Sequence, residues 1–300
     1  MGAFVAFIAC VLIWGSTWYG IEFQLGVVAK EWSVAYRFGL SALLLQAWCM
    51  FRGMKVDFGL REHLAAAGMG VFLFGANYLM VYTGTEYLTS GLVAIAFSLL
   101  SLMNLLSARV FLKTPIQPKV LAAAFLGVVG LSLIFGPEIA QFSFGNGTVI
   151  GLAFCIGATV LASFGNTIAA SETAKVLPIL PFTALGLFYS TIFNTLVALA
   201  SGEPMAFDPR APYVISLLLL AILGTIVAFT VYLWLIGQVG VARAGYVAVM
   251  APLVAITIST IFEGFVWTPA AIAGLALVMT GNALMVRLKR MEAPDPTPAE

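Results

Sequence analysis

GVFLFGANYLMVYTGTEYLTSGLVAIAFSLLSLMNLLSARVFLKTP (residues 70–115) and GTIVAFTVYLWLIGQVGVARAGYVAVMAPLVAITISTIFEGFVWTP (residues 224–269) lie 154 positions apart and align without a gap. Ten of the 46 positions are identical, among them Gly70, Tyr78, Gly91, Thr114 and Pro115 with their mates Gly224, Tyr232, Gly245, Thr268 and Pro269. Apolar composition alone does not align uncommon residues at fixed spacing. Each copy reads as an apolar run, a short break near Gly84 or Gln238, a second apolar run and then Thr-Pro, which is a pair of membrane-crossing helices, duplicated.

Composition agrees with that class. The 300 residues are 62% apolar and 9% charged with mean hydropathy +1.05, whereas about a quarter of a soluble domain is charged. That composition places the chain in the lipid bilayer, and a net charge of +1 without basic clusters argues against a nucleic-acid partner. Cys10, Cys49 and Cys155 lie in apolar runs without metal-type spacing, so neither a metal site nor a disulfide framework is expected.

Because a span needs ~20 mostly apolar residues, the chain divides into ten expected segments: 3–23, 32–51, 63–84, 88–109, 118–136, 147–170, 178–200, 213–236, 242–262 and 269–287. Pro115, Pro137, Pro178, Pro204 and Pro269 fall at the breaks. The first segment lacks a basic leader and a cleavage-type end, and reads as a retained helix. Lys and Arg distribute eleven to three between the two sides, counting Arg52, Lys55, Arg109, Lys113, Arg243 and Arg287 on the basic side and Lys30, Arg37 and Arg210 on the other. Basic loops resist translocation, so both termini are expected in the cytoplasm. The first repeat copy then starts inside and the second outside. A weaker match, WGSTWYGIE (14–22) over FGNTIAASE (164–172), extends the duplication. The expected fold is all-α and polytopic, a 5+5 inverted repeat with halves at 1–137 and 138–288 and a cytoplasmic tail at 289–300, which is a plan of secondary transporters.

Aromatic and small polar residues inside spans are the informative ones. Tyr78, Tyr82 and Glu86 recur every four residues on one face, with Asn77 beside Tyr78; Phe229 precedes Tyr232, the mate of Tyr78, by three. One reading is a central cavity whose rings stack on substrate; the other is a headgroup belt. Trp14 and Trp18 share a face, Gly15 and Thr17 serve packing or binding equally, and Asn166 lies in the matching stretch of the second half. Pro252 frees a backbone carbonyl in the ninth span, opposite Ser98 in the repeat. Glu86 and Glu263 sit near span ends, and Arg37 is expected to bond helix-end carbonyls or a carboxylate, a structural or gating role.

Enzyme chemistry finds no support. The single histidine, His63, opens a helix, no aspartate lies within a span, and there is neither HExxH nor a P-loop, so no ATPase domain and no cofactor is expected.

The WGST of the first span, Arg37, Pro252 with Glu263, and the glycine-rich fifth and tenth spans (Gly127, Gly130, Gly274, Gly281) resemble the drug/metabolite transporter superfamily, EamA type, over residues 3–287. Ser98 and Arg109 depart from the proline and glutamate usual there. The resemblance implies export of small metabolites through a central cavity by alternating access, and the aromatic-rich helices resemble the branch exporting Phe, Tyr and Trp. The alternatives are other neutral amino acids or drug-like metabolites, or a channel-like facilitator, although a monomer-sized duplicated unit needs no oligomeric pore.

Overall fold

The computed structural model describes residues 2–54, 57–135, 147–239 and 244–292. Lys55, the boundary near 137, Arg243 and the tail beyond 292 lie outside them. Every regular element among the described residues is helical, as a chain dissolved in hydrocarbon requires, because a helix satisfies its own backbone polar groups. Among the described residues ten helices follow one another: α1 (Ala3–Glu22), α2 (Lys30–Phe51), α3 (Leu60–Thr85), α4 (Ser90–Phe111), α5 (Pro118–Ile134), α6 (Gly147–Ala169), α7 (Ile179–Ala200), α8 (211–239), α9 (Tyr246–Phe262) and α10 (Pro269–Glu292). Eight are long and apolar enough to cross a membrane; α5 and α9, apolar but 17 residues each, are about 26 Å long at the helical rise. Large apolar side chains such as Phe4, Leu43, Phe125, Leu196 and Ile272 point outward.

Local sequence explains the ends. Pro118 and Pro269 stand at first helical positions, where the missing N–H costs nothing. Gly53 and Gly202 follow α2 and α7 at φ of 65° and 75°, a left-handed conformation that glycine adopts freely.

Two features depart from the regular helices expected. In α3 residues Gly70–Ala76, and in α8 residues Leu219–Val227, the backbone takes the wider π register; Thr225 Oγ1 correspondingly donates to the Leu220 carbonyl, five residues back, at 3.0 Å. In α4, Ser98 and Leu99 form a turn between two helical pieces.

Packing follows a regular rule. α2 packs along α7 and α5 along α10; α1 packs on α8 and α9 as α6 packs on α3 and α4. Exchanging each helix for the one five places away in the order of ten turns the α1 contacts into the α6 contacts. Glycine sets the closest crossing: a Cβ on Gly130 would stand 2.4 Å from the Gly274 carbonyl oxygen, and one on Gly274 2.5 Å from that of Gly130. Helices α5 and α10 therefore meet backbone to backbone.

Helices α4 and α9 meet chiefly through the first piece of α4, Ser90–Phe97. There, Gly91 fits against Ile256 and Ser259. At their other ends they join different clusters, Leu105 packing with Val120, Ala123, Ala124 and Met285, and Ala244 and Val247 with Ala6, Cys10, Val11 and Leu235.

Candidate functional site

A cavity of about 300 Å³ lies where α1, α2, α3, α4, α6, α8 and α9 converge, at the small end of the range for ligand pockets. Its walls include six aromatic residues, Trp14, Trp18, Phe74, Tyr78, Phe97 and Phe229. They brace one another: Trp14 packs edge-on to Phe229 at 5.4 Å between ring centroids, Trp18 against Phe97 at 5.1 Å, Phe74 edge-on to Phe229 at 6.0 Å and Tyr78 edge-on to Phe38 at 4.8 Å. Such pairs hold rings in place with ~0.5–1.5 kcal/mol each beyond area burial, so the wall is stiff and offers ring faces to a guest.

Several of the polar groups in the wall are held in place by hydrogen bonds. Trp14 Nε1 donates to the Gly224 carbonyl at 3.2 Å, fixing the indole across the α1–α8 seam. Asn166 Nδ2 donates to Asn104 Oδ1 at 3.1 Å, joining α6 to α4. Asn77 Nδ2 donates to the Leu73 carbonyl at 2.8 Å, while its Oδ1 is buried without a partner. Ser98 Oγ donates to the Ile95 carbonyl at 2.6 Å in the α4 turn. Pro252 has no N–H to give the carbonyl four residues earlier, that of Ala248, and both residues line the cavity.

Seven of the sequence-derived binding candidates thus come together: Trp14, Trp18, Asn77, Tyr78, Ser98, Asn166 and Phe229, with Arg37 and Pro252 beside them. Two binding candidates do not line it. Tyr82 is fully buried in the core next to Arg37, neither cavity wall nor headgroup belt. Tyr232 packs on Trp14 at 5.0 Å, behind the wall, in the cluster with Cys10 and Leu235. Of the repeat mates Tyr78 and Tyr232, both candidates for the cavity wall, only Tyr78 lines it. The π-register stretches are seven and nine residues long and occupy different repeat positions, so their wider turns rotate the two faces unequally. Phe229 takes the place expected of Tyr232.

The charged candidates also separate. Glu86 is ion-paired with Lys30 at 2.9 Å on the surface. Glu263, just beyond α9, accepts from Ser90 N at 2.9 Å and Ser90 Oγ at 2.5 Å, an anion on the positive end of α4. The carboxylate or helix-end bond expected of Arg37 is not made. Its position within α2 keeps it from the helix-end carbonyls, and the three ion pairs among the described residues, Lys30–Glu86, Lys175–Glu172 and Arg210–Asp208, leave it out. Instead its guanidinium lies over the Tyr78 ring at 4.7 Å and the Phe38 ring at 5.2 Å.

Outside the spans, Asp208 accepts from Arg210 N, Nε and Nη2 at 2.7–3.0 Å. That hydrogen bonding and the guanidinium charge hold the Asp208 carboxyl below its ordinary range. It orders the turn into α8, to which Tyr36 and Trp32 also bond through the Ala206 and Glu203 carbonyls.

Phe74, Phe97, Ser101 and Asn104 escaped the sequence reading. Phe97, Ser101 and Asn104 are spaced i, i+4, i+7 on one face, a signal that was present but lost among the leucines of the span.

An all-helical bundle, among the described residues, with apolar helices of this length defines a polytopic membrane protein. The EamA-like transporter family model matches residues 1–136 and 145–287, and the chain belongs to that family of membrane transporters. It is similar to the uncharacterized inner membrane transporter YedA of Escherichia coli (strain K12), 26% identical over 262 residues, 86% of this chain and 81% of that one. It is also similar to the uncharacterized transporter YvbV of Bacillus subtilis (strain 168), 26% identical over 280 residues covering 92% and 88%. A chain of known crystal structure, 19% identical, superposes with a TM-score of 0.64 over 97% of this chain and 99% of that one, and shares the fold.

Proposed function

We propose that this transporter exports aromatic amino acids across the inner membrane by alternating access through the cavity between its two halves. The observation that carries the cargo is the wall itself: six aromatic residues surround a cavity of about 300 Å³, interspersed with the polar side chains of Thr17, Arg37, Asn77, Ser98, Ser101, Asn104 and Asn166. A flat side chain gains stacking on such a wall that a methyl group does not. The resemblance to YddG, a bacterial exporter of aromatic amino acids, points the same way.

The inverted repeat, ten crossings and cytoplasmic termini belong to this proposal. Support comes from the wall, where Ala94, Phe97 and Ser98 and their 154-shifted mates Ala248, Ala251 and Pro252 all line one cavity, as a pseudo-two-fold axis through it requires. The mate of the Gly91–Ser259 contact would be Gly245 against Leu105, yet Leu105 packs elsewhere. In this reading the present conformation is closed at the Ser90–Glu263 end and open at the other; exchange of the two contacts converts one state into the other. With the termini in the cytoplasm, the closed end is the outer one.

The test is export by cells carrying Tyr78→Ala, Trp18→Ala or Phe229→Ala, normalised to protein in the membrane. Loss of one ring is expected to lower Phe export about two- to twelvefold, from ~0.5–1.5 kcal/mol, and alanine export far less. Unchanged Phe export by all three variants would remove the aromatic-cargo reading.

A further inference from the structure

We propose that Arg37 is the docking point for the carboxylate of the transported molecule, the proposal resting on the amino acid cargo inferred above. Arg37 belongs to the cavity wall yet is only 2% exposed, and its Nε and Nη1 have no hydrogen-bond partner. No acidic side chain faces it from the neighbouring helices as a partner: Glu86 is taken by Lys30, Glu263 by Ser90, and Glu22 lies against Glu263. The Tyr82 hydroxyl lies within reach of the guanidinium but makes no hydrogen bond of normal geometry, and it leaves Nε and Nη1 unpartnered.

An ion stripped of water, with Nε and Nη1 left without an acceptor, is expensive inside a membrane protein. The Tyr78 and Phe38 rings repay part of that through cation–π contact, but ring faces accept no N–H. A guanidinium carries its donors in a planar fork that fits a carboxylate two at a time. The missing acceptor is therefore an anionic group that arrives with the cargo. One cation among aromatic walls fits a single carboxylate attached to an apolar body. The unpartnered Oδ1 of Asn77, next to Tyr78, is an acceptor suited to the ammonium of the same molecule. Position 187, the counterpart of Arg37 at the 150-residue offset of the 14–22 match, is Leu. The charge is thus one-sided, and the cargo would be held by its carboxylate toward α2.

The experiment titrates the purified full chain in detergent with paired ligands, reading affinity by calorimetry and stabilisation by thermal unfolding. The pairs are L-Phe against L-phenylalaninamide, and L-Ala against L-alaninamide, with 3-phenylpropionate to remove the ammonium instead. Phe is expected to bind at least about tenfold more tightly than its amide, equivalent to ~1.4 kcal/mol, and 3-phenylpropionate to retain binding better than the amide does. Because removal of a buried arginine can itself impair folding, this ligand comparison on the unaltered chain stands alone. Arg37→Gln should then abolish the acid-over-amide preference, and Arg37→Lys should restore part of it. Equal binding of acids and amides, or a preference that survives Arg37→Gln, overturns the assignment. A preference for Ala over Phe that still requires the carboxylate overturns the aromatic cargo and leaves Arg37 in its role.

Discussion

Gly91 is where the two-state account can be pressed hardest. A Cβ there would lie 2.8 Å from Ser259 Cβ and 2.9 Å from Ile256 Cα. Ordinary contact begins near 3.4 Å, so even the smallest side chain forces α4 and α9 apart by about 0.5 Å. The Ile256 contact is backbone and cannot escape by changing rotamer; valine, with two further carbons, demands more. Overpacking of this kind costs ~1–3 kcal/mol. If the contact exists only in the state closed at this end, that cost falls on one state and shifts the equilibrium about five- to 150-fold. Gly245→Val, at the repeat mate, should shift it in the opposite direction. Spin labels at Tyr87→Cys and Phe262→Cys, exposed positions near the closed end, report the separation by pulsed electron paramagnetic resonance. Gly91→Val should lengthen that distance and depress transport while the protein still unfolds cooperatively. An unchanged distance together with full transport would refute the reasoning.

Other outcomes follow from packing and charge. Gly130→Ala should destabilise the α5–α10 crossing by ~1–3 kcal/mol in thermal unfolding, whereas Gly127→Ala, with nothing within 4 Å of the added carbon, should be neutral or better. Glu263→Gln should weaken the Ser90 contact and the charge at the α4 N-terminus, costing up to ~2 kcal/mol, and raise exchange of the Ser90 amide hydrogen with solvent. Asp208 has its carboxyl held low in the folded chain. Its contribution is therefore fully present above the unfolded value of roughly 3.9 and fades as pH falls through the lower folded value. Unfolding temperatures of the parent chain and Asp208→Asn should differ by a constant amount at neutral pH and converge only in that acid range.

The helices and most of the cavity wall were legible in the sequence because both rest on periodicity and on where aromatic residues interrupt apolar runs. Trp14, Trp18, Tyr78 and Phe229 stood out for that reason. The register of α3 and α8 did not, since no residue pattern in Gly70–Ala76 or Leu219–Val227 announces wider turns; Tyr232 was consequently expected on the wrong side of Trp14. Arg37 was conspicuous as a charge in an apolar helix, but its partner could not be read. Sequence order does not tell that Glu86 is engaged by Lys30 or Glu263 by Ser90, and only the occupied state of those carboxylates shows the guanidinium to lack a carboxylate partner. Tyr82 shares a helical face with Tyr78, yet one turn along α3 the bundle closes over it.

Counterflow of labelled L-Phe in proteoliposomes tests the central claim most directly. Purified protein, reconstituted and preloaded with unlabelled Phe, should accumulate label transiently, with a rate that saturates in Phe and is suppressed by Tyr and Trp but far less by Ala. Uptake that rises linearly with concentration, or that internal Phe does not stimulate, would contradict an alternating-access carrier for aromatic amino acids.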